Sequence, residues 1–340
     1  VKFAGGRLTV TDLDRELSVS VAALEFSGEG CLPFAPLMRL VAALSRSYAE
    51  GRHNDDSLTI RIGEGGRVAE LVSRFGRYRL PVFSPSDFPH LEMPADAARV
   101  AIDGDRFARA LAFAAPFASR EETRYYLNGV CLYGRDVVAT DGHRMAVWRN
   151  ANAHAFKELI LPHGAVSVLA SMPALESLSH SVSLGSPRIM AESAGLRLVA
   201  KTIDGAFPDF NRVIPACDQW CELPRAGVLG SWRRLSRIVD GRVRVVSLAG
   251  DGERLALAVR GIDGEGGEEM VEVSGEAVSV TFNGKYLGEW LRMADGEIVS
   301  MGWRGDNGPG SPHVFRADDA ERMLILMPMR GESGAVDAAK

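Results

Sequence analysis

Leu161-Pro-His-Gly-Ala-Val-Ser-Val-Leu-Ala-Ser-Met172 runs from an apolar strand end, through a turn residue, into an amphipathic helix of about a dozen residues. The same order recurs at Cys31-Leu-Pro-Phe-Ala-Pro-Leu-Met-Arg-Leu-Val-Ala-Ala-Leu44 and at Thr281-Phe-Asn-Gly-Lys-Tyr-Leu-Gly-Glu-Trp-Leu-Arg-Met293. Anchored on Pro33, Pro162 and Asn283, the copies stand roughly 120 to 130 residues apart, a domain-sized period and not a solenoid-sized one. Other features keep step with them. Phe88-Pro89 and Phe207-Pro208 follow the first two anchors at comparable distances, and helical patterns at Asp105–Phe117 and Arg225–Val239 precede the second and third. Between the helices lie short alternating runs of strand type: Leu8–Val10, Leu58–Ile62, Val137–Ala139, Leu196–Lys201, Leu255–Val259, Val278–Phe282 and Met323–Met327. Coincidence among short apolar helices would not keep these offsets.

The pattern predicts an α+β protein of three repeated units, each with two helices packed on antiparallel sheets. The units are expected at 1–97, 98–220 and 221–330, with a Gly-, Ser- and Ala-rich flexible tail at 331–340. Fewer residues precede Pro33 than precede Pro162 in its own unit. By analogy the first unit is expected to lack roughly thirty N-terminal residues, its first helix among them.

Composition agrees with a folded, soluble, cytoplasmic chain. Of 340 residues 46% are hydrophobic and 24% charged, enough apolar material for two or three cores and no sign of wholesale disorder. No apolar stretch approaches the ~20 residues of a membrane span, and no signal-peptide pattern opens the chain. Four cysteines (Cys31, Cys131, Cys217, Cys221) are too scattered for a disulfide scaffold. Cys217 and Cys221 have half the spacing of a metal site, but no His or second Cys pair accompanies them, so they read as free thiols. The net charge of −5 does not exclude nucleic acid, because a basic face can coexist with an acidic remainder.

Four segments then resemble the bacterial DNA sliding clamp, the beta subunit of DNA polymerase III. They are Thr123-Arg-Tyr-Tyr-Leu-Asn-Gly129, Ala139-Thr-Asp-Gly-His-Arg-Met-Ala146, Asp204-Gly-Ala-Phe-Pro-Asp-Phe-Asn-Arg-Val-Ile-Pro215 and Met327-Pro-Met-Arg330. Each alone is weak; four in order across nearly the whole chain are specific. The second departs from the family in one place, with Met145 where Leu is usual. The resemblance implies three clamp-type domains, the first N-terminally truncated, and a head-to-tail homodimer closing into a six-domain ring around duplex DNA. It also implies an ATP-driven clamp loader, the DNA polymerase III catalytic subunit and other clamp-motif proteins as partners, with no cofactor, no metal and no membrane.

A clamp holds DNA without stopping on it, so it needs diffuse phosphate attraction from long basic side chains and not base readout. The helices that would face the DNA carry Arg106, Arg109 and Arg120 in the second repeat and Arg225, Arg233, Arg234 and Arg237 in the third, with Arg39, Lys285 and Arg292 as additions. Taken singly, each is as good a candidate for an ordinary solvated arginine. The resemblance adds Arg124 and Tyr125, the tyrosine for stacking on an exposed base. Glu121 and Glu122 beside them oppose phosphate attraction. For a partner-peptide pocket the family pattern marks Leu127, Thr140, Gly142, His143, Arg144, Met145, Pro208, Arg212, Val213, Ile325, Met327 and Met329. Read alone, the last three are a core strand. For the dimer seam it marks Tyr78 and Leu80 on one side and Ile238 and Val239 on the other.

Two other readings compete. Asp141-Gly-His143-Arg144 suggests acid–base chemistry at His143, yet no nucleophile elbow, phosphate loop or metal-ligand spacing accompanies it, so a hydrolase is remote. Within the family, a truncated or specialised paralogue would bind partner peptides without encircling DNA.

Overall fold

Strand Arg15–Ser20 is the hairpin partner of Arg7–Thr11, yet its other edge hydrogen-bonds Leu196–Lys201, so one sheet joins the start of the chain to its middle. The computed structural model describes residues 1–20, 29–50 (backbone alone for 47–50), 58–62, 66–152, 154–181, 187–239, 245–306, 310–317 and 321–329. The tail expected at 331–340 lies outside the described residues, as does Arg330. Contacts group the chain into two units: Val1–Asp105 with Ser171–Thr202, and Arg106–Ala170 with Ile203–Lys340.

In the first unit an eight-stranded antiparallel sheet runs in the order Gly30–Cys31, Lys2–Ala4, Arg7–Thr11, Arg15–Ser20, Leu196–Lys201, Arg188–Ser193, Ser177–Ser181, Ala98–Ala101. A separate three-stranded sheet, Thr59–Ile62, Val68–Ser73, Gly76–Pro81, alternates half-buried with exposed residues along its last strand. Helix α1 (Phe34–Glu50) places Leu37 in a core with Phe3, Leu32, Ala69 and Leu71, and Tyr78 and Leu80 pack onto the same cluster. Beside this buried face, Phe34 and Met38, one turn apart on α1, are exposed.

The second unit holds a nine-stranded antiparallel sheet and a four-stranded one. The first orders Phe156–Pro162, Gly129–Gly134, Asp136–Thr140, Arg144–Trp148, Arg322–Leu326, His313–Arg316, Ile298–Trp303, Gln219–Pro224, Ser274–Gly275; the second orders Gly266–Glu272, Arg254–Arg260, Val245–Gly250, Val278–Asn283. Helices α2 (Gly104–Ala114), α3 (His163–Leu169), α4 (Arg225–Leu235) and α5 (Gly284–Met293) follow the strands. Apolar spacing explains α2, whose Phe107, Ala110, Leu111 and Ala114 are buried on one face. Asn283 caps α5, its side-chain oxygen accepting the Lys285 N–H at 3.0 Å. Helices α4 and α5 meet with the Trp232 indole laid against Gly284 and Gly288, where a Cβ at either position would overlap the ring.

The helical patterns of the sequence fall within a few residues of these elements. Asp105–Phe117 divides into α2 and a 3₁₀ turn at Ala115–Phe117, while Arg225–Val239 ends early at Leu235. The sheets cross the boundaries expected between repeats, at Arg15–Ser20 with Leu196–Lys201 and at Arg144–Trp148 with Arg322–Leu326. Among the described residues no helix is long and apolar enough to cross a membrane.

Candidate functional site

The turn Thr140–Arg144 is closed by its own side chains. Asp141 Oδ1 accepts the N–H groups of His143 (2.9 Å) and Arg144 (3.0 Å), while Thr140 Oγ1 accepts from Gly142 N (3.0 Å) and donates to the Arg144 carbonyl (2.8 Å). Gly142 has φ +88°, the left-handed region that favours glycine. This tight turn sends Arg144–Trp148 back alongside Arg322–Leu326, with Met145 opposite Ile325. One residue past that strand the Met327 N–H donates to the His143 carbonyl at 3.0 Å, so the C-terminal segment leaves along the turn.

Beneath the turn lies a cavity of about 150 Å³. Its walls are Leu127, Thr140, Gly142, His143, Arg144, Met145, Pro208, Phe210, Val213, Ile325 and Met327. The structure therefore brings together ten of the twelve residues marked in the sequence for a partner-peptide pocket. Arg212 stands outside the wall, largely exposed and paired with Asp209 at 3.0 Å. Met329 is half-buried beyond it, its N–H on the Thr281 carbonyl at 2.8 Å. Four of the lining residues, Leu127, Met145, Phe210 and Ile325, belong to a buried core with Cys131, Val138, Val147, Ile160, Phe207, Val314 and Met323.

Phe210 is the wall residue that sequence reasoning missed. It sits in the quoted Asp204–Pro215 motif, at the start of a 3₁₀ turn (Phe210–Val213) that also delivers Val213. Arg149 fixes that turn: its Nη2 donates to Asn211 Oδ1 at 2.8 Å, its guanidinium lies 5.4 Å from the Phe210 ring centroid, and it also binds Asp136.

Arg144 lines the cavity, but its guanidinium points into structure. It donates to Asp141 Oδ2 (3.0 Å), to Glu289 on α5 and to the Pro116 carbonyl (2.9 Å), between the rings of Tyr286 and Phe117 at 4.1 and 4.8 Å. This nearly buried cation has its carboxylates and a carbonyl in place, the condition under which a buried charge is tolerated. Burial, and then the Asp141 charge, push the Tyr286 phenol up. The exposed His143 receives no carboxylate or hydroxyl hydrogen bond on its ring among the described residues, and the nearby Asp141 carboxylate is taken by backbone N–H groups and Arg144.

Several of the arginines marked for DNA are held by protein acceptors. Arg106 binds Glu321 and the Asn150 carbonyl, Arg124 binds Glu121 through Nε (2.9 Å) and Nη2 (2.6 Å), and Arg234 binds Glu269. Hydrogen bonds to these carboxylates hold Arg124 and Arg234 more firmly protonated, and the bond from Arg234 lowers the pKa of Glu269. Arg225 serves α5, donating to the carbonyls of Leu291 and Gly296. Arg109, Arg120, Arg233 and Arg237 are exposed, as are Arg39, Lys285 and Arg292. Tyr125 is exposed beside Arg124, its ring edge-on to Tyr126.

Of the seam residues, Tyr78 and Leu80 lie on an outer strand of the three-stranded sheet, side chains turned to the core. Ile238 is exposed just past α4, whereas Val239 is buried. The four cysteines are free, and no group of three His, Cys, Asp or Glu suited to a metal occurs among the described residues.

Comparison with known proteins agrees. Residues 101–209 match the family described as "DNA polymerase III beta subunit, central domain". The beta sliding clamp of Caulobacter vibrioides is 30% identical over 96% of this chain and 90% of that protein, and that of Synechococcus elongatus is 27% identical over 89% and 82%. Among solved structures, the DNA polymerase sliding clamp of Caulobacter crescentus superposes with a TM-score of 0.81 at 27% identity, covering 97% of this chain and 90% of that one. The Bartonella birtlesii sliding clamp bound to griselimycin gives 0.83 at 25% identity, with coverage of 97% and 90%. The fold is thus of the DNA-clamp class, α+β with helices on antiparallel sheets. The chain belongs to the beta sliding clamp family, and as such it is a DNA-replication protein and not an enzyme.

Proposed function

We propose that two copies of this chain close head to tail into a ring around duplex DNA, each copy contributing three clamp-type domains, and that the cavity beneath the Thr140–Arg144 turn tethers the polymerase III catalytic subunit and other clamp-motif proteins. An ATP-driven loader opens the ring and places it on DNA. The observation that carries the reading is the cavity itself. Residues from four separate segments converge on a nearly all-apolar wall, with a thioether, Met327, at its edge. Such a wall takes large apolar side chains of a peptide, and an unbranched thioether adapts to their shape. Exposed Arg109, Arg120, Arg233 and Arg237 supply sequence-independent phosphate attraction, and the sheets that run across the repeat boundaries suit domains built to continue into one another.

The test is the affinity of a fluorescent clamp-motif peptide for the wild type and for Met327→Ala. We expect a loss of about tenfold, the order for removing part of an apolar contact of roughly 1.5–3 kcal/mol. Arg212→Ala, outside the wall, should change the affinity little. Unchanged binding in Met327→Ala would remove the cavity from the partner site. Retention on nicked circular DNA, lost when the circle is linearised, tests encirclement separately.

A further inference from the structure

The loop marked for DNA and the wall of the cavity are one piece of chain. Ser119 through Asn128 are knit by short bonds: Ser119 N to the Leu127 carbonyl (2.9 Å), Glu121 N to Ser119 Oγ (3.1 Å) and Asn128 Nδ2 to the Glu121 carbonyl (3.0 Å). Leu127 ends the loop on the cavity wall. Three residues earlier Arg124 sits at a kink with φ −114° and ψ 51°, and its guanidinium reaches Gly142 in the turn that also lines the cavity. A Cβ on Gly142 would collide with Arg124 Nη1, so the guanidinium covers that glycine's open side. Glu121 holds it there through two hydrogen bonds, from a position half in solvent.

We propose that the Glu121–Arg124 pair is a link between nucleic acid and partner peptide, in which a phosphate that takes Arg124 from Glu121 withdraws the brace from the Gly142 turn and lowers peptide affinity. The proposal rests on reading the cavity as the peptide pocket and the Arg124–Tyr125 loop as a nucleic-acid contact. Its physical basis is that an exposed ion pair is weak and easily exchanged, while a phosphate offers the same planar guanidinium an equivalent acceptor. Arg124 cannot stay over Gly142 on Glu121 and also follow a phosphate outward. Coupling of this kind is reciprocal, so peptide in the pocket must lower the affinity for the strand by the same factor.

The test measures the affinity of a labelled clamp-motif peptide at rising concentrations of a short single-stranded oligothymidine, with strand binding followed by its own label. In the wild type the peptide dissociation constant should rise about fivefold and then plateau, the range of ordinary site-to-site coupling. Arg124→Ala should bind peptide more weakly from the start and show no response to saturating strand. Glu121→Gln should bind the strand more tightly, because the competing carboxylate is gone. An effect that grows without a plateau means direct competition for the cavity and overturns the link, as does an Arg124→Ala response equal to the wild type. Peptide binding that ignores a bound strand also overturns the link while leaving the pocket reading standing. No peptide binding by the wild type overturns both.

Discussion

At the scale of single residues, His313 shows how burial sets a pH limit on this clamp. Its imidazole is stacked on Trp303 with ring centroids 5.7 Å apart, edge-on to Phe282 at 5.2 Å, and its Nδ1 meets the Ser311 carbonyl at 3.1 Å. Burial outweighs that one hydrogen bond and pushes the imidazole from 6.5 down to about 4. The unfolded chain therefore takes up a proton that the folded chain refuses between those two values. Stability is full above pH 6.5 and falls as the pH drops toward 4, by about 3 kcal/mol when complete. Urea denaturation at pH 7.5 and 4.5 checks it. His313→Gln should flatten the acid loss by most of that amount, and an unchanged pH dependence would show the destabilising proton goes elsewhere.

At the scale of elements, the contact between α4 and α5 depends on two missing side chains. Gly284 and Gly288 lie one turn apart on α5 and let the Trp232 indole of α4 sit against the helix backbone. Gly288→Ala gains helix propensity of about 1 kcal/mol but forces overpacking that costs roughly 1–3 kcal/mol, so the variant should melt lower than the wild type. Adding Trp232→Leu to Gly288→Ala should cost less than the two single changes together, a coupling a double-mutant cycle reads directly. A Gly288→Ala protein more stable than the wild type would mean the indole moves freely. The helix patterns and strand alternations were legible because periodicity is local. The Trp232 slot was not, because a glycine in a helix says nothing about what approaches it. The same limit explains the site. Ten cavity residues were named through a family pattern, whereas Phe210 and the grip of Arg149 on its turn depend on contacts between distant segments. Likewise no spacing announces that Arg144 spends its charge on Glu289, or that Arg106 and Arg234 already hold carboxylates.

At the scale of the whole molecule, ring closure requires a seam, and two outer strands of the described sheets carry opposite charge. Gly76–Pro81 exposes Arg77, Arg79 and Pro81 in alternation, while Gly266–Glu272 exposes Glu268, Met270 and Glu272. Open strand edges invite pairing, and a basic edge selects an acidic one over another copy of itself, which favours head-to-tail contact over head-to-head. Tyr78 and Leu80 would then hold the first strand in register from its core side, and exposed Ile238 would add apolar area beside the second. Sedimentation should show a species of twice the 36.7 kDa chain mass, with dissociation promoted by salt because the steering charges are exposed. A sharper check reverses the charges. A chain with Arg77→Glu and Arg79→Glu should be a monomer, as should one with Glu268→Arg and Glu272→Arg, since each homodimer repeats the repulsion at both seams. Mixed in equal amounts, the two variants should form a heterodimer, because one of its seams pairs the reversed strands and the other pairs two native ones. A closed twofold ring would make that rescue complete, whereas an open head-to-tail chain would grow into longer assemblies. If both variants stayed dimeric alone, or if mixing restored nothing, these strands would not form the seam.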